Sequence, residues 1–116
     1  MNLLTDEIRK RLPPLYAQEG SKAIVHVKFF TPDSSWTWYA TEFDGEDIFF
    51  GLVDGLEKEL GYFSLSELQS VRGPLGLPIE RDLYWTPKPL DHRPQTLPES
   101  RPIISQQKNS GRVMRI

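Results

Sequence analysis

Hydrophobic positions recur along this chain in two rhythms, and the change between them marks out its elements. Leu4, Ile8 and Leu12 recur at every fourth residue, the spacing of one helix face. Thr5 is placed to cap that helix, with Asp6 and Glu7 in its first turn and Arg9, Lys10 and Arg11 near its end. Both charge placements suit the helix dipole. Pro13-Pro14 stops the helix, and Gly20-Ser21 predicts a turn. From Ala23 to Phe30 the texture becomes β-branched and aromatic, which predicts a strand. Thr31-Pro32-Asp33-Ser34-Ser35 is turn chemistry, and Trp36 to Phe43 reads as a second strand. Asp44-Gly45 is a hairpin signal of the type I′ kind. Ile48 to Val53 is a third strand ended by Asp54-Gly55, and a shorter fourth lies near Gly61-Tyr62-Phe63. Ser64-Leu65-Ser66-Glu67 fits a capping box, so a helix runs to about Val71 with Leu65 and Leu68 buried and Gly73 at its left-handed end. The segment Gly73 to Pro78 is then an extended or turning connector.

Alternation within the strands divides the side chains between two faces. With even hairpin loops, one face carries Val25, Val27, Phe29, Trp36, Trp38, Ala40, Phe49 and Val53. It is uniformly apolar and is expected to bury against the helices. The other face mixes Ile24, His26, Lys28, Phe30, Thr37, Tyr39, Thr41, Phe43, Ile48, Phe50 and Leu52. The segment around Leu83, Tyr84 and Trp85 is expected to cover it. The competing expectation is a surface of aromatic anchors open to a partner.

Composition sharpens that choice. Ten of the thirteen aromatic residues lie between Phe29 and Phe63. The stretch 23–63 carries eight acids against two lysines, whereas 86–116 has six bases and two acids. An acidic body favours protein contacts, and a basic tail leaves polyanion contacts open. Past Trp85, Pro87, Pro89, Pro94, Pro98 and Pro102 recur among polar and basic residues. The expected domain is therefore 1–88, with a proline-rich, flexible tail over 89–116. The N-terminus lacks the pattern of a signal peptide, and no apolar run approaches membrane-spanning length, so the expected address is the cytoplasm, with no membrane contact.

Chemistry is mostly excluded by residue type. Without cysteine there is no thiolate nucleophile, disulfide or zinc-thiolate site. Only His26 and His92 offer imidazole. Glu42, Asp44, Glu46 and Asp47 surround a turn but lack the spacing of a calcium loop, so they read as a solvated acidic turn. No metal and no cofactor is expected. Neither a nucleophile elbow nor a phosphate-binding glycine loop occurs. His26 beside Tyr39 and Glu42 is the one acid–base constellation to name, and a half-exposed strand histidine is the plainer reading. Sheet aromatics can stack unpaired bases, but such platforms carry Lys and Arg beside the rings, and this sheet has Lys28. Gly73-Pro74-Leu75-Gly76 has the outline of a backbone-clamping loop, yet proline and leucine supply no phosphate contact.

Several strings in order carry a resemblance. Lys28-Phe29-Phe30-Thr31-Pro32-Asp33-Ser34 leads into Trp36-Thr37-Trp38-Tyr39-Ala40-Thr41-Glu42-Phe43-Asp44-Gly45. Phe49 to Val53, Leu60 to Leu65 and Arg72 to Asp82 follow. Over about residues 2–88 the chain resembles an uncharacterised bacterial family known as a domain of unknown function. Its small members are often encoded on conjugative plasmids and other mobile elements. The resemblance implies a cytoplasmic accessory protein in that setting and carries no catalytic or binding residues across.

These readings converge on one α+β domain. It has an antiparallel sheet of about three to five strands flanked by two short helices, with a basic proline-rich C-terminal tail. The leading functional expectation is a non-enzymatic binding module acting on a protein partner through Phe30, Trp36, Trp38, Tyr39 and Phe50. A nucleic-acid-associated accessory protein is the alternative, using Arg72, Arg81 and the tail residues Arg93, Arg101, Arg112 and Arg115. A small enzyme built on His26, Tyr39 and Glu42 stands third.

Overall fold

The computed structural model describes residues 1–18 and 22–90. The expected turn at Gly20-Ser21 and the tail arginines Arg93, Arg101, Arg112 and Arg115 lie outside the described residues. Helix α1 spans Asp6–Arg11, and the Thr5 hydroxyl caps it by accepting the Ile8 N–H at 3.2 Å. Strands β1 (Ile24–Val25), β2 (Val27–Phe30), β3 (Thr37–Phe43), β4 (Ile48–Asp54) and β5 (Lys58–Ser64) follow, then helix α2 (Leu65–Ser70), β6 (Glu80–Arg81) and β7 (Lys88–Pro89). The main sheet has the order β5-β4-β3-β2-β6 and its paired neighbours run antiparallel. The pair β1–β7 forms a separate two-stranded ribbon.

This architecture matches the expected antiparallel α+β body and changes its details. The fourth strand is a full seven residues. It completes a β3-β4-β5 meander, where alternation alone suggested only a fragment. The expected first strand is broken at His26. Val25 packs with Ala23, Tyr39, Leu52 and Leu90, while Val27 packs in the larger core on the other face. Register shifts between Ala40 and Glu42 as β3 pairs with β4, a bulge that reverses side-chain parity downstream. Phe43 therefore joins the large core with Phe29, Trp38, Phe49 and Phe63 instead of the mixed face, and its ring lies 4.6 Å from that of Phe49.

The two turn signals also resolve differently from expectation. The β3–β4 loop is not a two-residue turn. Asp44 organises it by accepting the amide N–H groups of Glu46, Asp47 and Ile48 at 2.8, 2.8 and 3.0 Å, and Gly45 takes φ +91°. Burial alone would raise the Asp44 carboxyl, but those amides together hold it below the usual carboxylate range. At α2 the Ser64 hydroxyl accepts the Glu67 N–H at 2.9 Å as expected. Asp47 joins it from the β3–β4 loop, accepting both the amide and the hydroxyl of Ser66 at 2.9 Å. The helix ends at Val71 in extended backbone, and Gly73 takes no left-handed φ.

The second face is covered around Tyr39 and Leu52, by Trp85 and Leu90 and not by the whole of 83–85, while Lys28, Phe30 and Thr37 on it are half-buried. Trp85 tilts onto Tyr39 at 5.8 Å and donates its indole N–H to the Val25 carbonyl at 3.0 Å. Leu83 and Tyr84 stay exposed. Leu90 is buried beside Val25, so the packed body extends past residue 88.

Candidate functional site

Four of the five expected anchor aromatics are interior side chains. Trp38 is 0% exposed, and Trp36, Tyr39 and Phe50 are buried. Trp36 stacks on Trp38 at 5.9 Å, and Phe50 meets Tyr62 at 5.0 Å. Trp36 and Trp38 belong to the large core and Tyr39 to the second, and Phe30 alone of the five is half-buried. A block this rich in aromatics fills a core because each ring removes a large apolar area from water.

The acid–base constellation is not assembled either. His26 opens into a cleft lined by residues of α1 and of 81–85, and neither Tyr39 nor Glu42 lies in it. Glu42 is fully buried elsewhere. Its two carboxylate oxygens accept the amide N–H groups of Tyr16 at 2.8 Å and Gln18 at 2.6 Å. Gln18 in turn bonds the backbone of Ile24 and Thr41 through its side-chain amide. Glu42 thus anchors the segment between α1 and β1, including Tyr16 at φ +72°, and its hydrogen bonds are structural ones.

A different site emerges at the end of the sheet where β2 turns into β3. Asp33 in that turn reaches the connector after α2. Its Oδ2 accepts the amide N–H of Leu75 at 2.8 Å and of Leu77 at 3.4 Å. Gly73 donates to the Leu77 carbonyl and Gly76 to the Gly73 carbonyl, both at 2.9 Å, while Arg72 and Pro78 bridge at the base. Gly73 is required by close approach: a Cβ there would collide with the Asp33 carboxylate. The Thr31–Ser34 and Arg72–Asp82 strings, distant in sequence, are therefore one interlocked unit. The loop displays Leu75, 80% exposed, and Leu77. At the same end of the sheet the β4–β5 turn exposes Leu56, while Gly55 packs against the Trp36 ring.

Beside the loop lies a cleft of roughly 410 Å³. Leu3, Leu68 and Ile79, all buried, line it together with Met1 and Pro78, and Gln69, Arg72 and Glu80 supply its polar groups. Arg72 turns one guanidinium nitrogen back onto the carbonyls of Gln69 and Val71 at 3.1 and 2.9 Å, closing the end of α2. Arg81 donates to the Asn2 carbonyl. The two body arginines expected to meet a polyanion thus have intramolecular acceptors, and they do not share one patch: Arg72 borders this cleft and Arg81 the His26 cleft. Sequence reasoning missed the Asp33 clamp. Its one available signal was a glycine-rich connector and an Asp-containing turn within the same distinctive set of strings.

No curated protein and no solved structure matches the chain significantly. A family model described as "Protein of unknown function (DUF2958)" matches residues 3–91, from the cleft-lining Leu3 past the buried Leu90. On that match the chain belongs to this family of unknown function.

Proposed function

We propose that this protein is a non-enzymatic binding module that holds an extended segment of a protein partner at the cleft beside the Gly73–Leu77 loop. The observation that supports this reading is a cleft with an apolar floor and polar rim, bordered by a loop whose amides are pinned by Asp33 while its leucines face water. A leucine held outward on a fixed loop has already lost the conformational freedom that docking would otherwise remove. The cleft volume falls within the range of ordinary ligand pockets. An apolar side chain of the partner fits the floor, and the Gln69, Arg72 and Glu80 groups orient its backbone. The buried aromatics support this module from within. Service to a plasmid or other mobile element in the cytoplasm belongs to the same proposal through the resemblance of the strings. Among the described residues no helix is long and apolar enough to cross a membrane.

Selection of a random peptide library on the protein tests the reading. The expected result is an enriched peptide whose affinity drops about tenfold or more, a loss of about 1.4 kcal/mol, in Leu75→Ser/Leu77→Ser. Both residues are exposed, so that variant keeps the fold. Peptides that bind the double variant equally well would place recognition elsewhere. Binding of short single-stranded DNA by the full chain that weakens steeply as salt rises would favour the nucleic-acid alternative, because arginine contacts to phosphates release counterions.

A further inference from the structure

The His26 cleft is separate from the site above and carries its own chemistry. Its volume is roughly 210 Å³. Thr5, Glu7, Ile8 and Arg11 of the α1 region form one wall, His26 and Val27 the back, and Arg81, Asp82, Leu83 and Trp85 the other wall. The charges on that second wall already have partners. Arg81 donates to the Asn2 carbonyl, and Asp82 accepts the Tyr84 amide at 2.9 Å and pairs with Lys28 at 3.7 Å. Arg11, by contrast, makes no hydrogen bond or ion pair among the described residues.

His26 is held in a particular state. Its Nδ1 is buried and has no hydrogen-bond partner. A buried acceptor left unpaired costs less than a buried N–H left unpaired, which favours the neutral tautomer protonated on Nε2. Burial first, and the Arg11 charge second, hold the imidazole below its ordinary value. The His26 imidazole and the Arg11 guanidinium, which has no ion pair among the described residues, thus line one small cleft together with Leu83 and the Trp85 indole. Glu7 and Asp82 on the walls disfavour an occupant with more than one negative charge.

We propose that this cleft binds a small organic monocarboxylate, its carboxylate on Arg11 and the His26 Nε2–H and its apolar body against Leu83 and Trp85. A carboxylate accepts from the guanidinium by a charge-assisted bond and matches the fork geometry of arginine. It also offsets the positive charge that His26 experiences, so binding raises the imidazole pKa. Benzoate is a suitable probe, because it joins one carboxylate to a flat apolar ring.

The test is a benzoate titration of the full-length protein, followed through the His26 imidazole and Trp85 indole signals by NMR. Both signals are expected to shift saturably and together, and the His26 pKa to rise at saturation. Arg11→Gln should weaken binding about tenfold without moving the melting temperature, and should raise the His26 pKa in the absence of benzoate. Benzyl alcohol, with the same ring and no charge, should give no saturable shift, and inorganic phosphate should bind more weakly than benzoate. The proposal fails if benzoate gives no saturable shift or binds Arg11→Gln equally well. Benzyl alcohol matching benzoate, or phosphate binding more tightly, would also overturn it.

Discussion

At the scale of single residues, burial separates side chains that look alike in the sequence. Trp36, Trp38, Tyr39 and Phe50 all read as candidate anchors, and all are interior. Trp38→Ala is expected to lower stability by about 3–5 kcal/mol, because a large cavity opens in a close-packed core. That is much of the roughly 5–15 kcal/mol available to a small domain. Trp38→Phe should cost far less, since it also removes an indole N–H that is buried without a partner. Chemical denaturation of both variants checks this, and equal losses would show that the N–H is satisfied in solution. His26 yields a prediction in pH. Its folded pKa is depressed, so the unfolded chain binds the proton more readily and stability rises with pH. The contribution is complete above the unfolded value of about 6.5 and is lost as pH falls through the lower folded value. Melting temperatures of the parent and of His26→Gln across pH 4–8 should converge at the acid end, while a parallel pair of curves would remove His26 as the titrating group.

Among the elements, the interlock of the β2–β3 turn with the loop after α2 is the feature that organises the candidate site. Gly73→Ala places a Cβ into the Asp33 carboxylate, which is tied to the amides of Leu75 and Leu77 and gives way only by releasing them. The expected loss is about 0.5–1.5 kcal/mol, the net worth of a hydrogen bond whose partners water can replace. Combined with Asp33→Ala, the same substitution should cost much less, because the colliding group is gone. A double-mutant cycle measures that coupling. Strict additivity would mean that the two residues act independently. Amide hydrogen exchange should report the same event locally, with faster exchange at Leu75 and Leu77 and little change in β3 and β4.

For the molecule as a whole, the chain's last described residues close the fold. Lys88 and Pro89 pair with Val25 and Ile24, and Leu90 fills the second core between Val25 and Leu52. A protein ending at Pro87 should therefore melt well below one ending at Leu90. Leu90→Ala in the full chain should cost about 2–5 kcal/mol. Thermal denaturation of the three proteins distinguishes a domain that ends after the β7 ribbon from one that ends before it. Indistinguishable melting temperatures would leave β7 peripheral.

Local order was legible wherever a residue's neighbours in sequence are also its neighbours in space. Thr5 and Ser64 as caps, the aromatic strands on either side of Asp44-Gly45 and the buried stripe of Leu65 and Leu68 all follow from short-range periodicity and hydrogen-bond chemistry. The bulge after Ala40 was not legible, because it depends on pairing between two strands and leaves no mark on either one alone. The consequence was large: one extra residue turned Phe43 from the mixed face into the core. The role of Asp33 was hidden for the same reason, since the amides it accepts from lie more than forty positions along the chain. Glu42 reads as one of four acids around a turn, yet only folding places it inside, facing the Tyr16 and Gln18 amides. Pattern thus determined the two helices and the main strand segments through β4, whereas the break at His26, the full length of β5 and the short strands β6 and β7 came only with folding. Tertiary contact alone decided which aromatics are interior, which carboxylates hold the backbone and where the clefts lie, because burial and hydrogen-bond partners are properties of the packed chain and not of any segment within it.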